Sequence, residues 1–137
     1  MKYAYPAIFK SEDNKILVDA PDLPGIHTFG DDICDALYMA KDAIEMWLWD
    51  AENKKEKIPP PSNLSDLSKK YMNFEQSEQF VSVVAADTDE YRRKNDSRSV
   101  KKTLTIPAWL NNEAEQANAP FSQILQQGLK SYLGINR

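Results

Sequence analysis

The chain has 137 residues, a formal net charge of −4 and a single cysteine, Cys34. That length fits one domain or one domain with a small module, and one thiol excludes an intrachain disulfide framework. The N-terminal run Met1-Lys2-Tyr3-Ala4-Tyr5-Pro6 has no apolar signal core. No stretch has the length and apolarity of a membrane span, so the expected compartment is the cytoplasm. The charge is unevenly spread. Residues 1–91 hold 9 lysines and arginines against 18 aspartates and glutamates, a net of −9. Residues 92–137 hold 8 against 3, a net of +5. An acidic body followed by a basic tail implies two different partners, with nucleic acid the natural one for the tail.

Tyr3 to Phe9 is aromatic-rich and reads as a strand, with Pro6 marking an edge or a bulge. Ser11-Glu12-Asp13-Asn14 is a turn cluster, and Ile16-Leu17-Val18 a second strand, so the two form a hairpin. Ala20 to Gly25 holds two prolines and a glycine, a rigid connection to a third strand at Ile26 to Phe29. Asp31 or Asp32 caps a helix on which Ile33, Ala36, Leu37, Ala40, Ile44, Trp47 and Leu48 recur at helical spacing. Asp31, Asp32, Asp35 and Asp42 suit the positive end of that helix. Ile58-Pro59-Pro60-Pro61-Ser62 leaves the helix as an extended segment. Asn63 to Gln79 is weakly patterned, with room for a helical turn near Leu64 to Leu67. Phe80 to Ala85 is a fourth strand. Thr88 to Ser99 is highly charged and nearly free of aliphatic residues; it reads as a linker whose first half can extend the fold as a helix.

From Val100 to Ile106 the chain alternates: Val100, Leu104 and Ile106 lie on one side, with Lys102 the exception, and Lys101, Thr103 and Thr105 on the other. Pro107 opens a short helix with Leu110, Ala114 and Ala117 at helical spacing, and Asn118-Ala119-Pro120 breaks it. Phe121, Ile124, Leu125, Gly128, Leu129, Tyr132 and Leu133 form one stripe of a second helix stopped by Gly134. One strand and two short helices cannot bury a core alone, and a lone strand leaves both edges unpaired. A second copy supplies the remedy: two strands pair antiparallel over four helices, a ribbon of the size that enters a DNA major groove. The simpler alternative is an edge strand with a solvated Lys/Thr face.

These C-terminal residues resemble the ribbon-helix-helix family of dimeric DNA-binding proteins. The resemblance implies that Lys101, Thr103 and Thr105 face base edges, and that Phe121, Ser122 and Gln123 meet a phosphate at the start of the second helix. Asp19-Ala20-Pro21-Asp22-Leu23-Pro24-Gly25-Ile26-His27-Thr28-Phe29-Gly30-Asp31, the capped helix with Asp35-Ala36-Leu37, and Ile58-Pro59-Pro60-Pro61-Ser62 resemble the HicB antitoxin family. This second resemblance implies an α+β fold: a partial ribonuclease-H-like sheet with one main helix, followed by a ribbon-helix-helix dimerisation module. The implied boundaries are 1–90 for the toxin-binding domain, 91–99 for a charged linker and 100–137 for the DNA-binding domain. The implied function is an antitoxin that binds and blocks a small RNA-cleaving toxin, HicA, and autorepresses its operon by binding promoter DNA. The implied partners are therefore a HicA-like toxin, operator DNA and a second copy of the chain, with room for a larger toxin–antitoxin assembly. A rival reading is a ribbon-helix-helix repressor whose N-terminal body senses a small molecule.

No catalytic or metal site and no cofactor is expected. Asp19, Asp22, Asp31, Asp32 and Asp35 cluster around one strand–helix connection, with Asp87 the one later candidate, whereas two-metal chemistry needs carboxylates converging from separate elements. Capping and solubility account for most of them. His27 is a lone histidine, structural or solvated. Cys34 reads as a small buried residue. Two residues are candidates for toxin contact: Asp22, which the geometry of its turn does not require, and Trp49, which points away from the core stripe. Trp49 has the alternative of packing under Pro59 to Pro61.

Overall fold

The computed structural model describes residues 1–71 and 78–135. Two compact units divide the chain, residues 1–98 and residues 99–137. In the first unit, β1 (Lys2–Glu12) and β2 (Lys15–Asp19) form an antiparallel hairpin. Asp13 and Asn14 make its two-residue turn, with φ of 51° and 62°. Both residues are left-handed, as a type I′ turn requires, and Asn and Asp tolerate that conformation best after glycine. β3 (His27–Gly30) pairs with β2, and β4 (Gln79–Asp87) with β1, giving an antiparallel sheet in the order β3-β2-β1-β4.

β1 is thus an interior strand, which corrects the edge expected from Pro6. The register explains how the proline is tolerated. Ser11 N donates to Glu78 O on the β4 side, so alternation turns the Pro6 nitrogen away from β4. On that other side the β2 ladder begins only at Ile8. A missing N–H at position 6 therefore costs no ladder bond, because β1 is locally an edge there.

α1 (Ile33–Lys54) lies on the face formed by Tyr5, Ala7, Phe9, Val18 and Val84. Its buried residues are Ala36, Ala40, Ile44, Leu48 and Ala51. The first four step by four residues, a row that small side chains keep close to the sheet. Ile33 and Leu37, expected in this stripe, are exposed. Ile33 sits at the first helical residue beside Ser11, Ile16 and Phe80, where no second layer closes over it among the described residues. Leu37 falls at the margin of the row. Asp32 is the N-cap: its carboxylate accepts from Asp35 N at 2.7 Å, and Asp35 in turn accepts from Asp31 N at 2.9 Å.

Pro21 to Gly25 closes one end of this core. Leu23 is fully buried, Gly25 turns with φ of 86°, and Trp47 Nε1 donates to Pro24 O at 3.1 Å. The proline segment after α1 is held from two sides: Tyr5 Oη donates to Pro59 O, and Asp22 accepts from Ser62. Pro6 and Ile8 alternate to the opposite sheet face and are buried there, as is Leu67 of α2 (Leu64–Tyr71), which packs near β4. The weakly patterned tract after α2, residues 72–77, lies outside the described residues.

α3 (Thr88–Asn95) follows β4 without a break, capped by Asp87, and belongs to the first unit. The linker expected at 91–99 therefore gives way to helix over its first half, because charged partners on α1 rather than an apolar stripe hold it in place. The second unit holds α4 (Ala108–Gln116) and α5 (Phe121–Leu133), separated by Asn118 with φ of 50°, and α5 ends at the left-handed Gly134. Residues 99–107 form no ladder within the chain.

Gly30 is the tightest contact of the first unit. A Cβ there would lie 2.2 Å from Ala36 N, a backbone atom that cannot swing aside. Gly30→Ala is expected to lower unfolding free energy by about 1–3 kcal/mol. Asp32→Ala should cost about 1 kcal/mol through the lost cap. Urea denaturation of both variants measures this, and an unchanged stability for Gly30→Ala would contradict the close-approach reading.

Candidate functional site

A second stripe runs along α1, away from the buried row. Tyr38, Asp42, Met46 and Trp49 follow at spacings of four, four and three, which places them on one face. Tyr38 is 68% exposed and Met46 52%. Beside this stripe an open groove separates α1 from β3, lined by Ile26, Thr28, Met39, Ala43, Met46 and Trp47. The acids on its wall are Asp42 and Asp50, His27 lines it as well, and no lysine or arginine does. Asp50 meets Lys54 at 2.8 Å. Asp42 is exposed and has no side-chain hydrogen bond or ion pair among the described residues.

Trp49 packs against Tyr91 of α3 in a tilted arrangement, with ring centroids 5.5 Å apart and planes inclined at 51°. Packing beneath Pro59 to Pro61, the sequence's alternative, is not what the helix does: that segment is held by Tyr5, while Trp49 turns towards α3. Its Nε1 is buried without an acceptor.

Two glutamates of α1 position α3 and with it Tyr91. Glu52 accepts from Tyr3 Oη at 2.8 Å, Thr88 Oγ1 at 2.9 Å and Arg92 Nη2 at 3.1 Å. Glu45, only 5% exposed, accepts from Lys41 Nζ at 2.6 Å and from Asp87 N at 3.0 Å. The Glu45 hydrogen bond raises the Lys41 pKa above its ordinary value. Burial, reinforced by the Glu52 carboxylate, pushes the Tyr3 phenol up to about 12. Burial also raises Tyr5 and Tyr91.

The acids that could suggest a nuclease are each engaged locally. Asp31 meets Lys15 at 2.7 Å, Asp32 and Asp35 cap α1, and Asp87 caps α3. Asp19 faces His27 across the β2–β3 ladder on the exposed face of the sheet. Asp22 gives both carboxylate oxygens to Ser62, from its N at 2.8 Å and from its Oγ. Among the described residues, no three histidine, cysteine or acidic side chains gather as metal ligands. No helix among them is long and apolar enough to cross a membrane. Cys34 is exposed, correcting the buried position expected of it: it lies two residues before Ala36 and so on the outer side of α1.

Among the described residues of the second unit the apolar stripe is left bare. Neither α4 nor α5 buries a residue; Leu104, Leu129 and Leu133 are all more than half exposed. Lys101, Thr103 and Thr105 are exposed, as are Phe121, Ser122 and Gln123 in the first turn of α5. Pro120 precedes that turn with no side-chain cap, so the first-turn N–H groups of α5 are unclaimed by a side chain.

Residues 5–127 match the family described as "HicB_like antitoxin of bacterial toxin-antitoxin system". The chain belongs to that family. It is 27% identical over 135 residues to an uncharacterised 14.9 kDa protein from the rep-hol intergenic region of Haemophilus phage HP1, covering 97% of this chain and 96% of that one. Among solved structures it is similar to a chain of a toxin–antitoxin complex from Streptococcus pneumoniae, with 27% identity, a TM-score of 0.59, and coverage of 96% of this chain and 99% of that one. It shares its fold with the antitoxin HicB of Burkholderia pseudomallei, with 20% identity, a TM-score of 0.51, and coverage of 100% and 99%.

The exposed stripe of this HicB-like antitoxin escapes a sequence reading because Asp42 passes for a dipole-favouring acid. It stands in the third turn, beyond the reach of that effect. The spacing of Tyr38, Asp42, Met46 and Trp49 was the available signal.

The Tyr3 contact has a pH consequence. Its folded pKa lies above the unfolded value of 10.0, so the neutral phenol is favoured on folding. The stability it contributes is fully present below pH 10.0 and is lost as pH rises through about 12. Urea denaturation across that window should show a shallower decline for Tyr3→Phe than for the parent chain. Identical slopes would remove Tyr3 from the account.

Proposed function

We propose that this chain is the antitoxin of a type II toxin–antitoxin pair, that its N-terminal unit neutralises a HicA-like mRNA-cleaving toxin by direct binding, and that its C-terminal unit represses its own operon. The observation that carries the reading is the match to the HicB-like antitoxin family over most of the chain. The likeness to a chain of a toxin–antitoxin complex supports the protein partner, as does the shared fold with a chain of a structure described as a HicA3 and HicB3 complex, with a TM-score of 0.52. The sheet and α1 serve as a partial ribonuclease-H-like scaffold without chemistry of its own; inhibition is by occlusion. No cofactor or metal takes part, and both targets, mRNA and operator, place the action in the cytoplasm.

The C-terminal unit acts as a ribbon-helix-helix dimer. Residues 100–106 of two copies pair antiparallel, which satisfies the unpaired backbone and buries the stripe of α5 that a single chain leaves bare. Lys101, Thr103 and Thr105 enter the major groove, and the first turn of α5, Phe121 to Gln123, receives a phosphate. Toxin bound to such dimers gives a larger hetero-oligomer. Asp22 is given a structural duty by its grip on Ser62, while Trp49 stays at the toxin-facing surface.

The deciding experiment is co-expression with the neighbouring reading frames, followed by purification on this chain. A small basic protein should co-purify, inert towards RNA until this chain is removed; recovery of this chain alone would overturn the antitoxin reading. For the DNA half, Lys101→Ala should weaken operator binding and reduce the slope of log affinity against log salt by about 1. Thr103→Ala and Thr105→Ala should relax base preference with little change in slope, and unchanged operator specificity in both would remove that face from the groove.

A further inference from the structure

The exposed face of α1 combines bare apolar and aromatic side chains with Asp42, a carboxylate that has no side-chain partner among the described residues. We infer that this face, with the groove beside β3, is where the toxin docks, and that it receives a cationic amphipathic segment whose lysine or arginine pairs with Asp42. The inference rests on the antitoxin reading above and adds to it the surface and the chemistry of recognition.

Three observations carry it. The first is charge. Residues 1–98 hold 13 basic against 19 acidic side chains, a net of −6, and the groove wall offers Asp42 and Asp50 with no lysine or arginine. Most other carboxylates of the unit already cap helices or meet internal partners, as Glu45, Glu52 and Asp32 do. Asp42 is the one in the groove that no internal partner occupies. A cation placed there gains a carboxylate beside Tyr38 and Tyr91; Lys41 and Lys94, which line the same hollow, are already held by Glu45 and Glu90.

The second is apolar area. Met46 is half exposed and, with Met39, Ala43, Ile26 and Trp47, forms the groove floor. Methionines fit irregular partners because their side chains are unbranched and polarisable. An apolar floor with a charged rim is the pattern of a protein interface rather than of a solvated helix.

The third is rigidity. Trp49 is fixed against Tyr91, and α3 is fixed to α1 through Glu52 and Glu45, so the surface is formed before any partner arrives. Asp22, the other acid considered for the toxin, is already engaged by Ser62. A preformed surface spends little ordering entropy on association.

The test uses the full chain and the HicA-like protein encoded beside it. Hydrogen exchange of the wild-type complex should show protection concentrated in residues 39–50 and 26–28. Asp42→Lys should weaken the complex by about tenfold or more, and Met46→Ala by a similar factor. Glu56→Lys makes the same change in net charge at an exposed position after α1, and should alter affinity by less than about threefold. Circular dichroism of each variant establishes that the fold is kept. Protection confined to the sheet face opposite α1, or equal losses for Asp42→Lys and Glu56→Lys, would overturn this surface while leaving the antitoxin reading intact. Failure of the wild-type chain to bind the toxin at all would overturn both.

Discussion

The seating of α1 on the sheet is the constraint from which the first unit follows. Gly30 leaves no room for a side chain against the Ala36 backbone, and Ala36 and Ala40 present only methyl groups to the strands. Close approach fixes the rotation of the helix about its axis. Once Ala36, Ala40, Ile44 and Leu48 face inwards, every other position is assigned. Trp47 reaches the Pro24 carbonyl, Glu45 and Glu52 reach β4 and α3, and Tyr38, Asp42 and Met46 face solvent. Each fully buried side chain of the size of Leu48 contributes roughly 1.5–3 kcal/mol, so rotating the helix to hide its outer stripe would forfeit more than it gained.

The polar contacts of α1 divide into two kinds with different consequences. Glu45 itself is nearly enclosed while its partner Lys41 reaches solvent; the carboxylate also takes the Asp87 N–H, so removing it would leave a part-buried donor without its acceptor. The pairs of α3 with its own residues, such as Lys94 with Glu90, are solvent-facing and contribute little. What keeps α3 in place is therefore Glu52 with its three donors and the Trp49–Tyr91 contact. Those contacts make α3 part of the sheet unit rather than a spacer.

Where periodicity carried the information, the sequence was readable. The hairpin, the capping of α1 by one of the Asp31-Asp32 pair, the two C-terminal helices and the break between them follow from turn residues and apolar spacing alone. The places that were not readable depend on partners far along the chain. Pro6 reads as an edge or a bulge until the β1–β2 pairing is known to begin only at Ile8. Cys34 looks like a buried small residue until the inward row of α1 is known. α3 is legible in its charged run only as an alternative to a linker, because its anchors are a single tyrosine and a glutamate some forty residues earlier, not an apolar stripe. For the candidate surface, Trp49 was visible as an outward tryptophan, but Asp42 became distinct only after its neighbours were seen to be paired.

The structure also changes the electrostatic argument for nucleic acid. Drawn at residue 92, the tail carries a net of +5. The boundary of the compact units falls after Arg98, and four of those basic residues, Arg92, Arg93, Lys94 and Arg98, then belong to the acidic unit. Arg92 meets Glu52 and Asp89, Lys94 meets Glu90, and Arg98 meets Asp96. Residues 99–137 keep 4 basic against 2 acidic side chains, a net of +2. Such a charge is too small for a monomer to hold DNA by counterion release alone. The proposed pairing changes that locally, since Lys101 and Lys102 from two chains bring four cations to one short ribbon. Dimerisation is thus asked to do two things at once: to cover the bare stripe of α5 and to concentrate charge where a groove can be entered. A single chain does neither, so in the proposed reading operator binding is tied to the assembly state and depends steeply on concentration.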